Sequence, residues 1–309
     1  MTKYCEQKKE DNKMEAIKNI HHISAIVGHP KENKQFYQEV LNLRLIKKTV
    51  NFDDPGTYHL YFSNDNVDPG TVITFFPWAN AREGRVGSGQ VGRIAFRIPK
   101  NSKDYWIQRL KDHHVEVTET SLFQRPTIEF EDIHGLDLAL VESDEESETN
   151  SILGFHGSVL LSLRPIETLK ELVDDLGLVE LEHTEDAFHF ETVGELKHHI
   201  IIPKTPMREG RWGVGTVHHI AWSVDDENVQ KDWQNYLVGE GYHVTEVKDR
   251  NYFKAVYTKE RGHIIFEFAT VGPGFDRDEP KDQLGQKLML PPQFEANREA
   301  LVSKLPELD

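Results

Sequence analysis

Apolar residues along the chain recur in the same order four times. In each quarter a short apolar run comes first, a segment with apolar residues three or four positions apart follows, and runs rich in β-branched and aromatic residues end the unit. These spacings are typical of a strand, a helix with one apolar face, and further strands. In the first quarter they predict a strand over Ile20–Val27, a helix over Lys31–Leu43, and strands over Arg44–Val50, Thr57–Phe62 and Thr71–Phe76. The fold prediction is therefore α+β, with four βαβββ modules.

The later quarters open with similar strands, predicted over Arg93–Ile98, Phe155–Leu163 and Val217–Val224. A direct repeat links the two halves. The tract from Arg82 to Gly89 recurs as Arg208 to Gly215, at a spacing of 126 residues and without a gap. Such a match is improbable between unrelated stretches, so the halves look like copies of one paired unit.

An acidic, serine-containing run over 142–151 lies between the halves and is typical of a solvated linker. The predicted organisation is an N-terminal extension (1–16), a first domain (17–143), a linker (144–153), a second domain (154–271) and a C-terminal tail (272–309). We expect the tail to wrap the second domain and to contain one short helix near Phe294–Leu301.

The amino-acid composition argues against several classes of function. The 309 residues contain 36 Lys and Arg against 52 Asp and Glu, a formal net charge of −16, which disfavours nucleic-acid binding. Because the chain has no long apolar run and a highly charged N-terminus, we expect a cytoplasmic protein without a membrane partner. Its single cysteine, Cys5, excludes a disulfide framework and a Cys-rich zinc module.

Two His-His pairs stand at the same place in two of the modules. His21-His22 lies in the first opening strand and His218-His219 in the fourth. A carboxylate, Glu267, interrupts the apolar run Ile264 to Phe268, where an unpaired charge would be costly without a cation or strong donors. Two imidazoles and one carboxylate form a facial triad that favours Fe(II), and Mn(II) or Zn(II) in a purified sample would bind the same ligand types.

Matching of the repeats indicates one metal site per chain, built from His22, His219 and Glu267. In the second quarter Arg93 and Leu140 take the ligand positions, and in the third quarter Gly157 does. His156, next to Gly157, is the alternative to His22, because a slip of one residue would exchange them.

Several motifs together resemble one family. They are His21-His22-Ile23-Ser24, Tyr58-His59-Leu60-Tyr61-Phe62, Pro69-Gly70-Thr71, Phe75-Phe76-Pro77, Arg82 to Gly89, His218-His219, Asp249-Arg250, Tyr252-Phe253, Phe266-Glu267, Gly272-Pro273-Gly274-Phe275 and Leu290-Pro291-Pro292. Over nearly its whole length the chain is similar to hydroquinone-type ring-cleaving dioxygenases of the vicinal oxygen chelate superfamily, which also includes glyoxalases.

The resemblance implies Fe(II) held by His22, His219 and Glu267, with a small aromatic substrate and O2 as reactants. It also implies that Arg250 and Tyr257 handle the substrate, and that His21, His218 and Ser24 surround the metal ligands. Tyr257 or His218 would assist proton transfer, and Arg250 would stabilise an anionic substrate oxygen.

The residues alone leave some of these roles open. Ser24 shares the face of His22 on an ideal strand, whereas His21 and His218 would face the opposite side unless a bulge intervenes. Arg250 also fits a solvated loop residue, and Tyr257 also fits a core tyrosine.

Two other functions remain alternatives. A glyoxalase-like lyase or isomerase would need an additional carboxylate, and the matched position holds Leu140. A non-catalytic protein that sequesters a quinone or a drug is the second alternative. Related folds often pair across sheet edges, so a homo-oligomer is a further expectation.

Overall fold

The computed structural model describes residues 14–309, so Cys5 and most of the predicted N-terminal extension lie outside the described residues. Within this range the chain forms sixteen strands. They are β1 Ile20–Val27, β2 Arg44–Val50, β3 Tyr58–Ser63, β4 Val72–Pro77, β5 Gln90–Ile98, β6 Thr118–Leu122, β7 Arg125–Glu131, β8 Asp137–Glu142, β9 Gly154–Leu161, β10 Val179–His183, β11 Ala187–Glu191, β12 His199–Pro203, β13 Thr216–Val224, β14 Lys248–Asp249, β15 Phe253–Lys259 and β16 Ile265–Pro273.

Each of the four modules contributes one helix, and the tail contributes two short ones. They are α1 Pro30–Gln35, α2 Lys103–Asp112, α3 Pro165–Lys170, α4 Glu227–Gly239, α5 Pro292–Glu295 and α6 Arg298–Val302. The helix predicted over Lys31–Leu43 spans residues 30–40 in the structure, where α1 continues as a π-helical turn over Phe36–Val40 and ends before Leu41. Near the predicted helix Phe294–Leu301 the tail has two short α-helices, separated by Ala296 and Asn297, and two 3-10 turns over Phe275–Arg277 and Lys281–Gln283 precede them.

The strands form two eight-stranded sheets, ordered β14-β15-β16-β13-β1-β4-β3-β2 and β10-β11-β12-β9-β5-β8-β7-β6. The predicted α+β class with four βαβββ modules is confirmed. Each sheet takes four strands from each half of the chain, so the first module pairs with the fourth and the second with the third. The domain boundaries stay a prediction, and neither sheet lies within one predicted domain.

A large apolar core links the sheets and the helices. Trp106 and Leu110 on α2 and Trp233 and Leu237 on α4 are fully buried in it, as the helical spacing of these side chains requires. The opposite face of the first sheet carries a second, smaller cluster that includes Ala221. The first sheet thus has one face packed on helices and another that is free to form a site.

The strand register corrects one predicted match between the repeats. Ala95 on β5 lies opposite Ala139 on β8, and Ala221 on β13 lies opposite Glu267 on β16. The residue that corresponds to Glu267 is therefore Ala139 and not Leu140. Leu140 points into the helix-covered core, because neighbouring strand residues face opposite sides.

The tail starts against Asn251 and Tyr252 of the fourth module and then lies over the first module, so the expectation that it wraps the second domain is wrong. Leu288 forms a bridge with Lys48 of β2, and Asp309 pairs with Lys34 of α1. Lys47, a fully buried cation on β2, contacts Asp278 Oδ1 at 2.7 Å and Glu279 Oε2 at 2.6 Å. A buried cation requires such partners, so this cluster anchors the tail to the sheet.

No helix in residues 14–309 is long and apolar enough to cross a membrane.

Replacing Lys47 with Met should destabilise the protein by about 3–5 kcal/mol, because the buried Glu279 carboxylate loses its cation. Urea unfolding measures the change. Lys31→Met is the control, since Lys31 pairs with the exposed Glu307 and should cost less than about 1 kcal/mol. Adding Glu279→Gln to Lys47→Met should recover part of the loss. Equal effects of Lys47→Met and Lys31→Met would contradict the anchoring role.

Candidate metal centre

The candidate metal centre lies where β1 and β13 run side by side at the middle of the first sheet. The pairing of these strands is irregular at two points. Between the pairs Ile20–Trp222 and His22–Ala221, β1 has one extra residue, His21, and β13 has an extra residue, His218, on the other side of the centre. A bulge interrupts the alternation of side chains and re-aims the residues around it. Both His-His pairs are thereby brought to the same face.

Three side chains converge between these strands. His22 Nε2 lies 3.2 Å from His219 Nε2, and Glu267 Oε2 lies 3.4 Å from His22 Nε2 and 2.8 Å from His219 Nε2. Their ligand atoms all lie within 4.8 Å of one another, and all three side chains are buried. Among residues 14–309 this is the one such group of three or more His, Cys, Asp or Glu residues.

The carboxylate of Glu267 is the observation that tests whether a metal fits. It is fully buried, and when the Nε2 atoms of His22 and His219 are unprotonated, neither oxygen has a hydrogen-bond donor in the part of the chain that the structure describes. Burial alone would raise its pKa, but His22 and His219 outweigh burial and hold the pKa well below the usual range. Burial also lowers the pKa of His219, which favours a neutral imidazole with a free lone pair. A cation between the three groups would satisfy the carboxylate, so the residues fit a metal ion.

Each candidate histidine ligand contacts the histidine that precedes it in the chain. His21 Nδ1 lies 2.8 Å from His22 Nδ1, and His218 Nδ1 lies 2.8 Å from His219 Nδ1. Burial and the neighbouring histidine lower the pKa of both His21 and His218 to about 3, so each has an acceptor nitrogen. The Nδ1–H of each candidate ligand can then donate backwards, which leaves its Nε2 for the metal.

A cavity of about 250 Å³ opens onto His22 and His219. Its walls are largely aromatic and include Phe76, Trp78 and Phe253. A cavity of roughly 150 Å³ is enough for benzene, so a single substituted ring fits here.

Arg250 and Tyr257 lie in the wall of this cavity, close to the candidate ligands. Arg250 Nε donates to the Tyr257 hydroxyl at 3.1 Å, and its Nη2 donates to Asp53 Oδ2 at 2.9 Å. The Tyr257 ring lies 5.7 Å from the His219 ring, measured between centroids. The Arg250 side chain is therefore fixed by two hydrogen bonds and is not freely solvated. Burial and the nearby Glu267 raise the pKa of Tyr257 well above its usual range, so the phenol keeps its proton.

Ser24 is fully buried and lies behind the cavity. Its hydroxyl contacts the Thr74 hydroxyl at 2.6 Å, and Thr74 contacts His59 Nε2 at 2.9 Å. Sequence reasoning assigned no role to His59 or to Tyr61, although both line the cavity. The signal was present, because these two polar side chains alternate on one face of an otherwise apolar strand.

His156 lies in the second sheet and away from the convergent trio. It is buried against Phe123, and its ring stacks on His199 with centroids 4.7 Å apart. The neighbouring Gly157 pairs with Ala95 as His22 pairs with Ala221, which makes Gly157 the counterpart of His22. A Cβ at Gly157 would clash with the carbonyl oxygen of His199, so this position cannot carry a ligand side chain.

The chain is similar to known families and proteins. Residues 19–122 match the model of the Glyoxalase/Bleomycin resistance protein/Dioxygenase superfamily. A Bacillus subtilis protein named "Putative ring-cleaving dioxygenase MhqO" is 48% identical over 290 residues, which cover 90% of this chain and 93% of that protein. A crystal structure of a dioxygenase from the same species, described as putative, superposes with a TM-score of 0.92 at 46% identity, covering 96% of this chain and 98% of that one.

A more distant relative carries a named substrate. The "Chlorohydroquinone/hydroquinone 1,2-dioxygenase" of Sphingobium indicum is 28% identical over 309 residues, covering 93% of this chain and 96% of that protein.

Replacing Glu267 with Gln should weaken Fe(II) or Mn(II) binding by at least about 100-fold, because the only anionic ligand of the trio is lost. Competition with a chelating dye measures the affinity. Glu260→Gln is the matched control, since Glu260 is equally buried but accepts from the backbone N–H groups of Gly262 and Ile264. That variant should unfold more easily and bind metal normally. Unchanged metal affinity in Glu267→Gln would refute the proposed centre.

Proposed function

The chain belongs to the ring-cleaving dioxygenases of the Glyoxalase/Bleomycin resistance protein/Dioxygenase superfamily, and we propose that it opens a hydroquinone or a related phenol with O2, using Fe(II). The observation that carries the proposal is the buried trio of His22, His219 and Glu267 beside a cavity the size of one aromatic ring. The substrate class is supported by the hydroquinone named for the Sphingobium indicum relative.

In this proposal His22, His219 and Glu267 hold the metal. When bound, Fe(II) supplies the one-electron chemistry that lets an aromatic ring react with O2, and three protein ligands leave coordination positions for both reactants. A ring bound against the aromatic walls would displace water, which would strengthen the polar interactions around it.

Arg250 and Tyr257 act on the substrate oxygen. A guanidinium can only donate, so the Tyr257 oxygen accepts from Arg250 and its own proton is free to point into the cavity. Tyr257 is thereby held as a donor, and the charge of Arg250 favours an anionic phenolate nearby.

His218 also serves as a donor at the cavity. When His219 binds the metal through Nε2, its Nδ1–H donates to the Nδ1 of His218, so the single proton of His218 sits on Nε2. Because burial keeps this imidazole neutral, His218 can give a hydrogen bond to bound substrate without bringing a charge. Proton transfer during ring opening is then assigned to Tyr257 or His218, as the resemblance implies.

The register of the first sheet also bears on the glyoxalase-like alternative. Ser24 stands opposite Thr74 on β4, as Ala221 stands opposite Glu267 on β16. The position for an additional carboxylate ligand is therefore Thr74, and not the second-module residue that sequence matching suggested. A threonine there leaves the lyase or isomerase without its extra ligand and base. A purely sequestering protein would have no need for a convergent, buried ligand set.

Protein reconstituted with Fe(II) without air should take up O2 when hydroquinone or methylhydroquinone is added, as measured with an oxygen electrode. His22→Ala should abolish the uptake, because a metal ligand is lost, whereas His156→Ala should keep it. Absence of uptake with every quinol and catechol despite tight metal binding would refute the dioxygenase proposal. Survival of uptake in His22→Ala would refute the assigned ligand set.

Replacing Thr74 with Glu should place a fourth ligand at the centre. Metal affinity should stay equal or rise, while the rate of O2 uptake should fall at least about tenfold, because a position needed by a reactant is filled. Thr74→Gln has the same shape without the charge and is the control for misfolding, checked by circular dichroism. Full O2 uptake in a well-folded Thr74→Glu protein would contradict the assignment of this position.

A further inference from the structure

We propose that Tyr61 donates a hydrogen bond to the second ring oxygen of the substrate, and so selects rings with two oxygens in para positions. The inference rests on the proposed function and deepens it. It assigns Tyr61 as a specificity-determining residue and His59, Thr74 and Ser24 as the residues that position it.

Tyr61 ends a buried chain of hydrogen bonds. Its hydroxyl lies 2.9 Å from His59 Nδ1, and His59 Nε2 lies 2.9 Å from the Thr74 hydroxyl. Thr74 in turn lies 2.6 Å from the Ser24 hydroxyl. All four side chains are buried, while His59 and Tyr61 also line the cavity. The chain therefore has one end inside the protein and the other at the cavity wall.

The donor in each hydrogen bond of this chain can be inferred from its inner end, at Ser24. If Tyr61 donated to His59, then His59 would donate to Thr74, and the O–H of either Thr74 or Ser24 would need a further acceptor. The structure shows none for these two hydroxyls in residues 14–309, and a buried hydroxyl proton without an acceptor is unfavourable. In the opposite direction Ser24 donates to Thr74, Thr74 donates to Nε2, and His59 Nδ1–H donates to Tyr61.

The second direction is favoured because its last proton reaches the cavity. Tyr61 then accepts from His59, and its own O–H is free for an oxygen of a bound ligand. His59 must be neutral for this arrangement, and burial lowers its pKa well below the usual range. Tyr61 cannot easily turn away, since its ring packs against Phe275 at 5.3 Å and His59 at 4.1 Å between centroids.

Tyr61 and Tyr257 occupy corresponding positions in the two modules of the sheet. Tyr61 lies opposite Thr74 and Tyr257 lies opposite Glu267, and Thr74 and Glu267 correspond across the pair β1 and β13. Tyr257 accepts from Arg250, and in the proposed proton direction Tyr61 accepts from His59, so each tyrosine keeps its own proton for the cavity. Two donors on opposite sides of the centre match a ring with oxygens at opposite ends better than one with adjacent oxygens.

The proton direction can be measured without turnover. In 15N-labelled, Zn(II)-loaded protein, the imidazole 15N shifts of His59 should show a protonated Nδ1 and an unprotonated Nε2. The reverse tautomer, or a mixture of both, would overturn the proposal, because the Tyr61 O–H would then donate to His59 Nδ1 and not to the ligand.

Ligand binding tests the selectivity directly. The probes are hydroquinone, 4-methoxyphenol and 4-methylphenol, bound to Fe(II)-loaded protein without O2 and followed by calorimetry. The wild type should bind the first two, which present a second oxygen, about tenfold more tightly than 4-methylphenol. In Tyr61→Phe this ratio should fall to near one.

Tyr58→Phe is the matched control, because Tyr58 lies on the same strand but packs into the core on the other face. It should keep the tenfold ratio. An unchanged ratio in Tyr61→Phe, with hydroquinone still cleaved, would overturn the role of Tyr61 and leave the proposed function standing. A wild type that binds and cleaves none of the dihydroxybenzenes would overturn both.

Discussion

The burial of one carboxylate, Glu267, is the constraint on which the candidate centre depends. A buried charge is costly inside a sheet, and in residues 14–309 the charged or ionisable partners that contact Glu267 are the imidazoles of His22 and His219. These two histidines come from the first and the fourth module and meet because β1 pairs with β13. The pairing of the first module with the fourth therefore creates the electrostatic problem and also provides the ligand set that a metal ion would complete.

The second sheet shows what the same architecture does without that constraint. It has the same strand order and bulged central strands, yet Gly157 and Ala139 replace the histidine and the carboxylate. The close approach of β9 and β12 leaves no room for a Cβ at Gly157. Duplication thus produced two similar frameworks, of which one carries the polar residues of a site and the other supports the fold.

Tail residues outside the four modules pack on the first sheet. The tail residues Asp278 and Glu279 bind the buried Lys47, and Phe275 packs against Tyr61 in the cavity wall. The tail therefore contributes to both the stability of the sheet and the fixed orientation of a side chain at the site. These contacts join residues more than two hundred positions apart, which explains why the expected position of the tail was wrong.

The sequence by itself determined the elements and the chemistry of the site. The bounds predicted for β1 and β2 agree with the structure, because alternation and β-branched composition are local signals. The pairs of histidines and the buried carboxylate were equally visible, since residue type alone carries that information.

Register, bulges and partner choice were decided only by the tertiary structure. Leu140 was matched wrongly because the spacing between the repeats is 126 residues at Ala95 but 128 residues at Ala139. Only the pairing of the strands shows which residue corresponds to Glu267. The bulges that turn His21 and His218 towards the candidate ligands exist only when β1 lies against β13. The roles of His59 and Tyr61 depend on Thr74 and Ser24 on neighbouring strands. Hydrogen-bond chains of this kind join residues that no local pattern connects.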